Sequence, residues 1–155
     1  MTLTAVADTG PFIHLSEIDS LSLLSLFDRL SVPATVRDEL QRGGTPESLS
    51  KLAFDVVAVD GRHDAQQLDP GEAAALAAAS ARDAVLLTDD LAAREAAQRA
   101  DVEVHGTVGV IALGYARDRL GREEAAALMR DLQDETSLFV TDAVVERGIE
   151  LLDER

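Results

Sequence analysis

Two short apolar runs in this chain stop abruptly at acids. Residues 4–7 (TAVA) end in Asp8, and residues 84–87 (AVLL) end in Thr88-Asp89-Asp90. Both runs are too short for helices and apolar throughout, which is the pattern of strands buried on both faces of a parallel sheet. Strands of that kind need helices above and below them, so the two runs point to an α/β architecture. After Asp8, Thr9-Gly10-Pro11 reads as a strand stop and a turn.

Elsewhere the apolar spacing turns helical. Ser20 can cap a helix over residues 21–30, with apolar positions at Leu23, Leu24, Leu26, Phe27 and Leu30. A very short second strand is read at 30–32. Pro33 suits the first turn of a helix running to about Arg42, closed by Gly43-Gly44. A short helical segment is expected over 46–53, a β-rich and edge-like strand over 54–59, and a polar loop over 60–68. Asp69-Pro70-Gly71-Glu72 is a strong helix start, with Asp69 as N-cap and Glu72 in capping-box position. The alanine-rich helix that follows runs to about Ala81, and its small side chains let it lie close to a sheet. The spacing then predicts a helix over 91–100 capped by Asp89 or Asp90, a strand over 102–104, and helices over 107–119, 122–133 and 141–152. The order β-α-α-(β)-α-α-β-α-β-α-β-α-α-α holds two good βαβ crossovers. It predicts a three-layer α/β/α sandwich with a central, mostly parallel sheet, in one domain over residues 1–155.

Composition narrows the classes. Hydrophobic residues make up 46% of the chain, enough for a packed core. Aromatics are only 3%, so Leu, Val and Ala must fill that core. The absence of cysteine rules out disulfides and thiolate metal sites. No basic segment leads into an apolar run and no run reaches the ~18 residues of a membrane span, so the expected compartment is the cytoplasm, away from membranes. Net charge is -15, with Lys51 the sole lysine. Such acidity repels nucleic acid or suits a basic partner. It also matches the halophile-like habit of covering the surface with acids and avoiding lysine, and that reading fits the even spread of acids better.

In a doubly wound sheet, sites form outside the C-terminal ends of the strands. Asp8 ends one strand; Asp89 and Asp90 end another. The helix before residues 84–87 must run antiparallel to that strand, so Glu72, in its first turn, comes to the same edge. This geometry does not place Glu39, late in the helix that starts at Pro33. Three or four carboxylates converging without lysine or histidine repel one another. A divalent cation relieves that conflict, and oxygen-only donors suit Mg²⁺ or Mn²⁺. The chemistry such a site serves is phosphodiester hydrolysis.

At these residues the chain resembles the PIN-domain nucleases over nearly its whole length. The carrying segments are Val6-Ala7-Asp8-Thr9-Gly10-Pro11, Val32-Pro33-Ala34-Thr35-Val36-Arg37-Asp38-Glu39-Leu40, Leu68-Asp69-Pro70-Gly71-Glu72 and Val85-Leu86-Leu87-Thr88-Asp89-Asp90, with Arg94 after the last. Gly106-Thr107-Val108-Gly109-Val110 is similar to a poorly characterised branch of that superfamily. The resemblance implies an acidic site at Asp8, Glu39, Glu72 and Asp90, with Asp89 as the alternative to Asp90 and Glu72 standing where many relatives have Asp. It further implies Mg²⁺- or Mn²⁺-dependent RNA cleavage, often in a toxin neutralised by a small antitoxin, and a homodimer. The alternative within the same fold is a non-catalytic scaffold or protein-binding domain.

Each residue also has an ordinary structural reading. Asp8 can make an Asx turn, Glu72 can complete its own capping box, and Asp89 or Asp90 can cap the helix from Leu91. Thr9 and Thr88 suit support of ligands by hydrogen bonds, or plain strand-end satisfaction. Arg37 and Arg94 can meet substrate phosphate or pair with surface acids. His14, His63 and His105 lack metal-ligand spacing. The absence of a Gly-rich phosphate loop and of a nucleophile elbow removes two other α/β chemistries. A receiver-type phosphotransfer domain is disfavoured because Lys51 follows no strand end, and a haloacid-type phosphatase because Asp8 is followed by Thr9-Gly10.

Overall fold

The computed structural model describes residues 3–43, 52–59 and 68–154. Its centre is a five-stranded, wholly parallel sheet made of β1 (Thr4–Ala7), β2 (Arg29–Pro33), β3 (Asp55–Val57), β4 (Val85–Leu87) and β5 (Val104–His105), in the order β3-β2-β1-β4-β5. The expected α/β/α sandwich is thus observed, with β3 at an edge. The two acid-terminated runs are neighbours, with Ala7 in register with Leu87. Strand order reverses between them, which makes the β1/β4 junction the topological switch point.

Period-two alternation assigns the side chains of β1 and β4 to two cores. Ala5, Ala7, Val85 and Leu87 face a large leucine-rich layer formed by α1 (Thr9–Glu17), a 3-10 helix (Leu21–Leu26), α2 (Ala34–Arg42), α5 (Thr107–Ala116), α6 (Arg122–Glu135) and α7 (Asp142–Asp153). Val6 and Leu86 face a thinner layer in which α3 (Pro70–Arg82) and α4 (Leu91–Arg99) contribute Ala75, Ala78, Ala79, Ala96 and Ala97. Small side chains bring these two helices close to the sheet.

Several boundaries differ from those read in the sequence. Thr9, Gly10 and Pro11 do not turn the chain away; they form the first turn of α1, because Asp8 accepts a bond from the Thr9 amide as its N-cap. Proline suits a first helical turn, where no intrahelical donor is lost. The expected helix over 21–30 is a single 3-10 segment, Leu21–Leu26, with Leu21, Leu23, Leu24 and Leu26 buried. It gives way early because β2 starts at Arg29 to pair with Thr4. Pro33 ends β2 and stands as the N-cap of α2, one position earlier than expected. β5 lies at 104–105 rather than 102–104, and α5 stops at Ala116 rather than 119. Of the helical segment expected over 46–53 only Leu52 and Ala53 are described, and neither is helical; most of the loop over 60–68 falls outside the described residues.

Candidate active site at the carboxyl edge of the sheet

The site is built from the ends of β1 and β4 and from three helix starts. Asp8 leaves β1 with its amide donating to the Leu87 carbonyl (2.9 Å), so the two strand ends are held together at the backbone. Its carboxylate is buried, at 7% exposure, and is held from both sides. The Thr9 amide donates to Oδ1 (2.8 Å), and the Thr88 hydroxyl, from the end of β4, donates to Oδ2 (3.0 Å). Thr88 is fully buried and also accepts from the Asp90 amide (3.3 Å). One hydroxyl therefore ties Asp8 to the turn that carries Asp90.

Glu39 reaches the same edge from α2. The Thr9 hydroxyl donates to Glu39 Oε2 (2.8 Å). The carboxylate lies against the bare Cα of Gly71, where a Cβ would stand 2.5 Å from Oε1 and 2.8 Å from Oε2. Glycine at that position of α3 is therefore a steric requirement of the Glu39 pose. Glu72 completes the capping box of α3: Asp69 Oδ1 accepts from the Glu72 amide (2.8 Å), and the Asp69 amide donates to Glu72 Oε2 (3.2 Å). Asp90 caps α4, with Oδ2 accepting from the Ala93 amide (2.9 Å).

Burial and mutual repulsion act on these acids together. Desolvation is the largest influence on Asp8 and lifts its pKa from 3.8 to about 6, against the Thr9 and Thr88 hydrogen bonds that lower it; the charges of Asp69 and Glu39 raise it further. Glu72 is pushed up to about 7, first by desolvation, then by Asp69, Asp90 and Asp8 beyond the relief of its bond to the Asp69 amide. Asp8, Asp69 and Asp90 each cap a helix at this edge, so three positive helix ends face the cluster and partly offset it.

Asp89 is placed differently from its neighbour. Both of its oxygens are committed to Thr107 at the start of α5: Oδ1 accepts from the amide (2.7 Å) and Oδ2 from the hydroxyl (2.6 Å). Of the adjacent pair, Asp90 is the one whose charge reaches Glu72. The Thr9 and Thr88 hydroxyls both donate to carboxylates, Glu39 and Asp8. Arg37 is paired with Asp38 on the surface (3.2 Å).

Asp69, Gly71 and Thr107 were not picked out from the sequence as parts of the site. Asp69 read only as a cap, yet its charge bears on both Asp8 and Glu72. A glycine inside the first turn of an otherwise alanine-rich helix was the signal available for Gly71.

The side chains gathered around Asp8, namely Glu39, Asp69, Glu72, Asp90, Thr9 and Thr88, offer only oxygens, which suits a hard divalent cation. Mg²⁺ needs only one or two carboxylates, with water and substrate phosphate completing its shell. Among the described residues, no three His, Cys, Asp or Glu side chains close on a common point tightly enough to hold an ion by themselves. The donor chemistry and the uncompensated repulsion fit such an ion held through few protein ligands.

A parallel sheet with a buried acid at its switch point defines a class: α/β proteins whose chemistry sits at the strand ends. Residues 4–154 match the model of the DUF3368 family, described as a PIN domain, and the chain belongs to that PIN-domain family. Among solved structures it is similar to a PilT N-terminus domain protein from the archaeon Sulfolobus solfataricus, with a TM-score of 0.58 and 14% identity over 70% of this chain and 90% of that one. At that identity the likeness concerns the fold. No curated protein matches the sequence. The family supports a nuclease-type scaffold whose members generally use divalent metal ions.

Proposed function

We propose that this chain is a Mg²⁺- or Mn²⁺-dependent endoribonuclease of PIN type. The observation that carries the reading is the Asp8 carboxylate: buried, tied to Thr88 across the switch point, and surrounded by Glu39, Asp69, Glu72 and Asp90 without a described cation among them. Acids held together against their own repulsion do not stabilise a fold, and they suit a site for a cation and a phosphodiester.

The residues that would hold the ion are Asp8, Glu39, Glu72 and Asp90, with Asp89 as the alternative to Asp90. When bound, a divalent ion supplies positive charge against the developing charge of the phosphoryl group and makes water a better nucleophile at neutral pH. The protein's part is positional. Thr88 and the Thr9 amide fix both oxygens of Asp8, the Thr9 hydroxyl fixes Glu39, and the Asp69–Glu72 box fixes the start of α3. Without an ion, burial and then the charges of Asp69, Asp90 and Asp8 push Glu72 up to about 7, a cost that a bound cation would relieve.

The toxin-like role, a small antitoxin partner and a homodimer rest on the resemblance. A neighbouring small open reading frame with a DNA-binding pattern would support the toxin role. The rival, a non-catalytic PIN-like scaffold, is favoured by one observation: Glu72 and Asp90 already serve as helix-capping groups. Purified protein incubated with single-stranded RNA and Mn²⁺ separates the two. The expected outcome is cleavage that EDTA abolishes and Asp8→Asn lowers by about 10²–10³-fold, the scale of losing transition-state charge stabilisation. Cleavage that survives Asp8→Asn removes the proposed site, and no cleavage by the wild type under any divalent ion leaves the scaffold.

A further inference from the structure

Beside the acidic edge, on the far side of the Asp89–Thr107 latch, lies a groove of about 480 Å³ between the end of β5, the start of α5 and α7. That volume is within the roughly 300–1,000 Å³ of ordinary ligand sites. Asp89 lines it, so the groove opens directly from the turn that carries Asp90. Its walls are mainly apolar, with Val108, Val144 and Leu151, and Phe139 stands at 89% exposure. Phe12 and Phe27 are buried at 1% and 5%, so Phe139 is an aromatic left uncovered in a chain that has few.

The charge in the groove is equally uneven. Arg147 is paired with Glu150 and Glu154, and His105 Nε2 lies 3.4 Å from Glu103. The Arg94 guanidinium has no hydrogen-bond or ion-pair partner among the described residues. It is brought in over Gly106, where a Cβ would stand 3.0 Å from Arg94 Nη1 and 2.8 Å from Asp89 Oδ1. Close to Asp89 but without a direct partner among the described residues, the guanidinium keeps its donors open to an anion.

The geometry points to a nucleotide subsite: the groove takes the nucleotide next to the scissile phosphate of a single-stranded RNA, Arg94 holding a backbone phosphate and Phe139 stacking on the base. This rests on the nuclease reading above and deepens it. A strand whose phosphodiester lies at Asp8 and Asp90 must continue past the edge, and its unpaired base is satisfied by an aromatic face. A protein partner or second copy would use the apolar wall but has no need of a guanidinium beside Asp89 with no direct partner among the described residues.

Binding of a short fluorescently labelled single-stranded RNA is measured by anisotropy in the Asp8→Asn background, and cleavage with Mn²⁺ in the otherwise native protein. Phe139→Ala is expected to weaken binding and raise KM about tenfold, with Phe139→Trp restoring both. Arg94→Gln is expected to weaken binding similarly and to lower the slope of log K against log salt by about 0.7, a change Phe139→Ala does not make. Arg94→Lys recovers the slope. If native protein cleaves RNA and all four variants match it, the subsite is refuted while the nuclease reading stands. If no cleavage occurs but binding depends on Arg94 and Phe139 as described, the subsite stands and the nuclease reading falls. A change in oligomeric state on Phe139→Ala with RNA binding unaltered assigns the groove to a protein contact and overturns the proposal, as does the absence of RNA binding altogether.

Discussion

Asp8 and Asp89 stand at the ends of adjacent strands, and each accepts two hydrogen bonds, yet their settings differ. Asp89 meets an amide and a hydroxyl of one residue, Thr107, at 2.7 and 2.6 Å, and latches the end of β4 to the start of α5. Asp8 also meets an amide and a hydroxyl, but burial and the charges of Asp69 and Glu39 outweigh them, and its pKa stays near 6. Two hydrogen bonds alone do not decide how costly the charge of an acid is; the water it has lost and the charges around it count as well.

The largest test of this contrast is the pH dependence of metal-free stability. Asp8 ionises near 6 when folded and near 3.8 as an isolated side chain. The folded state therefore binds the proton more tightly, and stability falls as pH rises through that window. The shift corresponds to about 3 kcal/mol, and Glu72, raised to about 7, extends the fall toward neutrality. Asp8→Asn should therefore be more stable than wild type by about 2 kcal/mol at pH 8 without metal, and lose that advantage at pH 4.5. Urea denaturation at the two pH values measures it, and adding Mn²⁺ should stabilise wild type more than the variant. Equal pH profiles for the two proteins would show that Asp8 is a structural cap after all.

Asp89→Ala should do the reverse. Losing two short charge-assisted bonds and leaving the Thr107 amide unsatisfied should cost about 2 kcal/mol at both pH values. The Mn²⁺-dependent rate per folded molecule should stay within about threefold. A collapse of the rate with stability unchanged would make Asp89, rather than Asp90, the ligand.

Gly71→Ala carries the smallest expected effect. In an exposed helix this change stabilises by about 1 kcal/mol. Here the new Cβ would meet the Glu39 carboxylate at 2.5 Å, so that gain should be absent and the cleavage rate should drop several-fold as Glu39 is displaced. A melting temperature that rises with the rate intact would show that Glu39 has room to move and is not held for chemistry.

Much of this molecule was legible in its sequence because the signals were local. The apolar runs at 4–7 and 84–87, the Asp69-Pro70-Gly71-Glu72 helix start and the Thr141 cap of α7 each depend on residues a few positions apart, and each appears in the structure. The convergence of Asp8, Glu72 and Asp90 on one edge also followed, since a helix leading into a parallel strand must begin at the sheet's carboxyl edge. Other features depended on contacts across the chain. Whether Leu21–Leu26 coils as an α-helix or a 3-10 turn was decided by β2 pairing with β1. The division of labour between Asp89 and Asp90 was decided by Thr107, 18 residues beyond Asp89. The approach of Glu39 was decided by Thr9, 30 residues before it, and by the missing side chain of Gly71. Sequence determines which residues carry charge and where strands and helices begin. Only the tertiary structure decides which of those charges are desolvated and which are answered, because solvent exclusion and long-range partners belong to the packed molecule and to no stretch of chain alone.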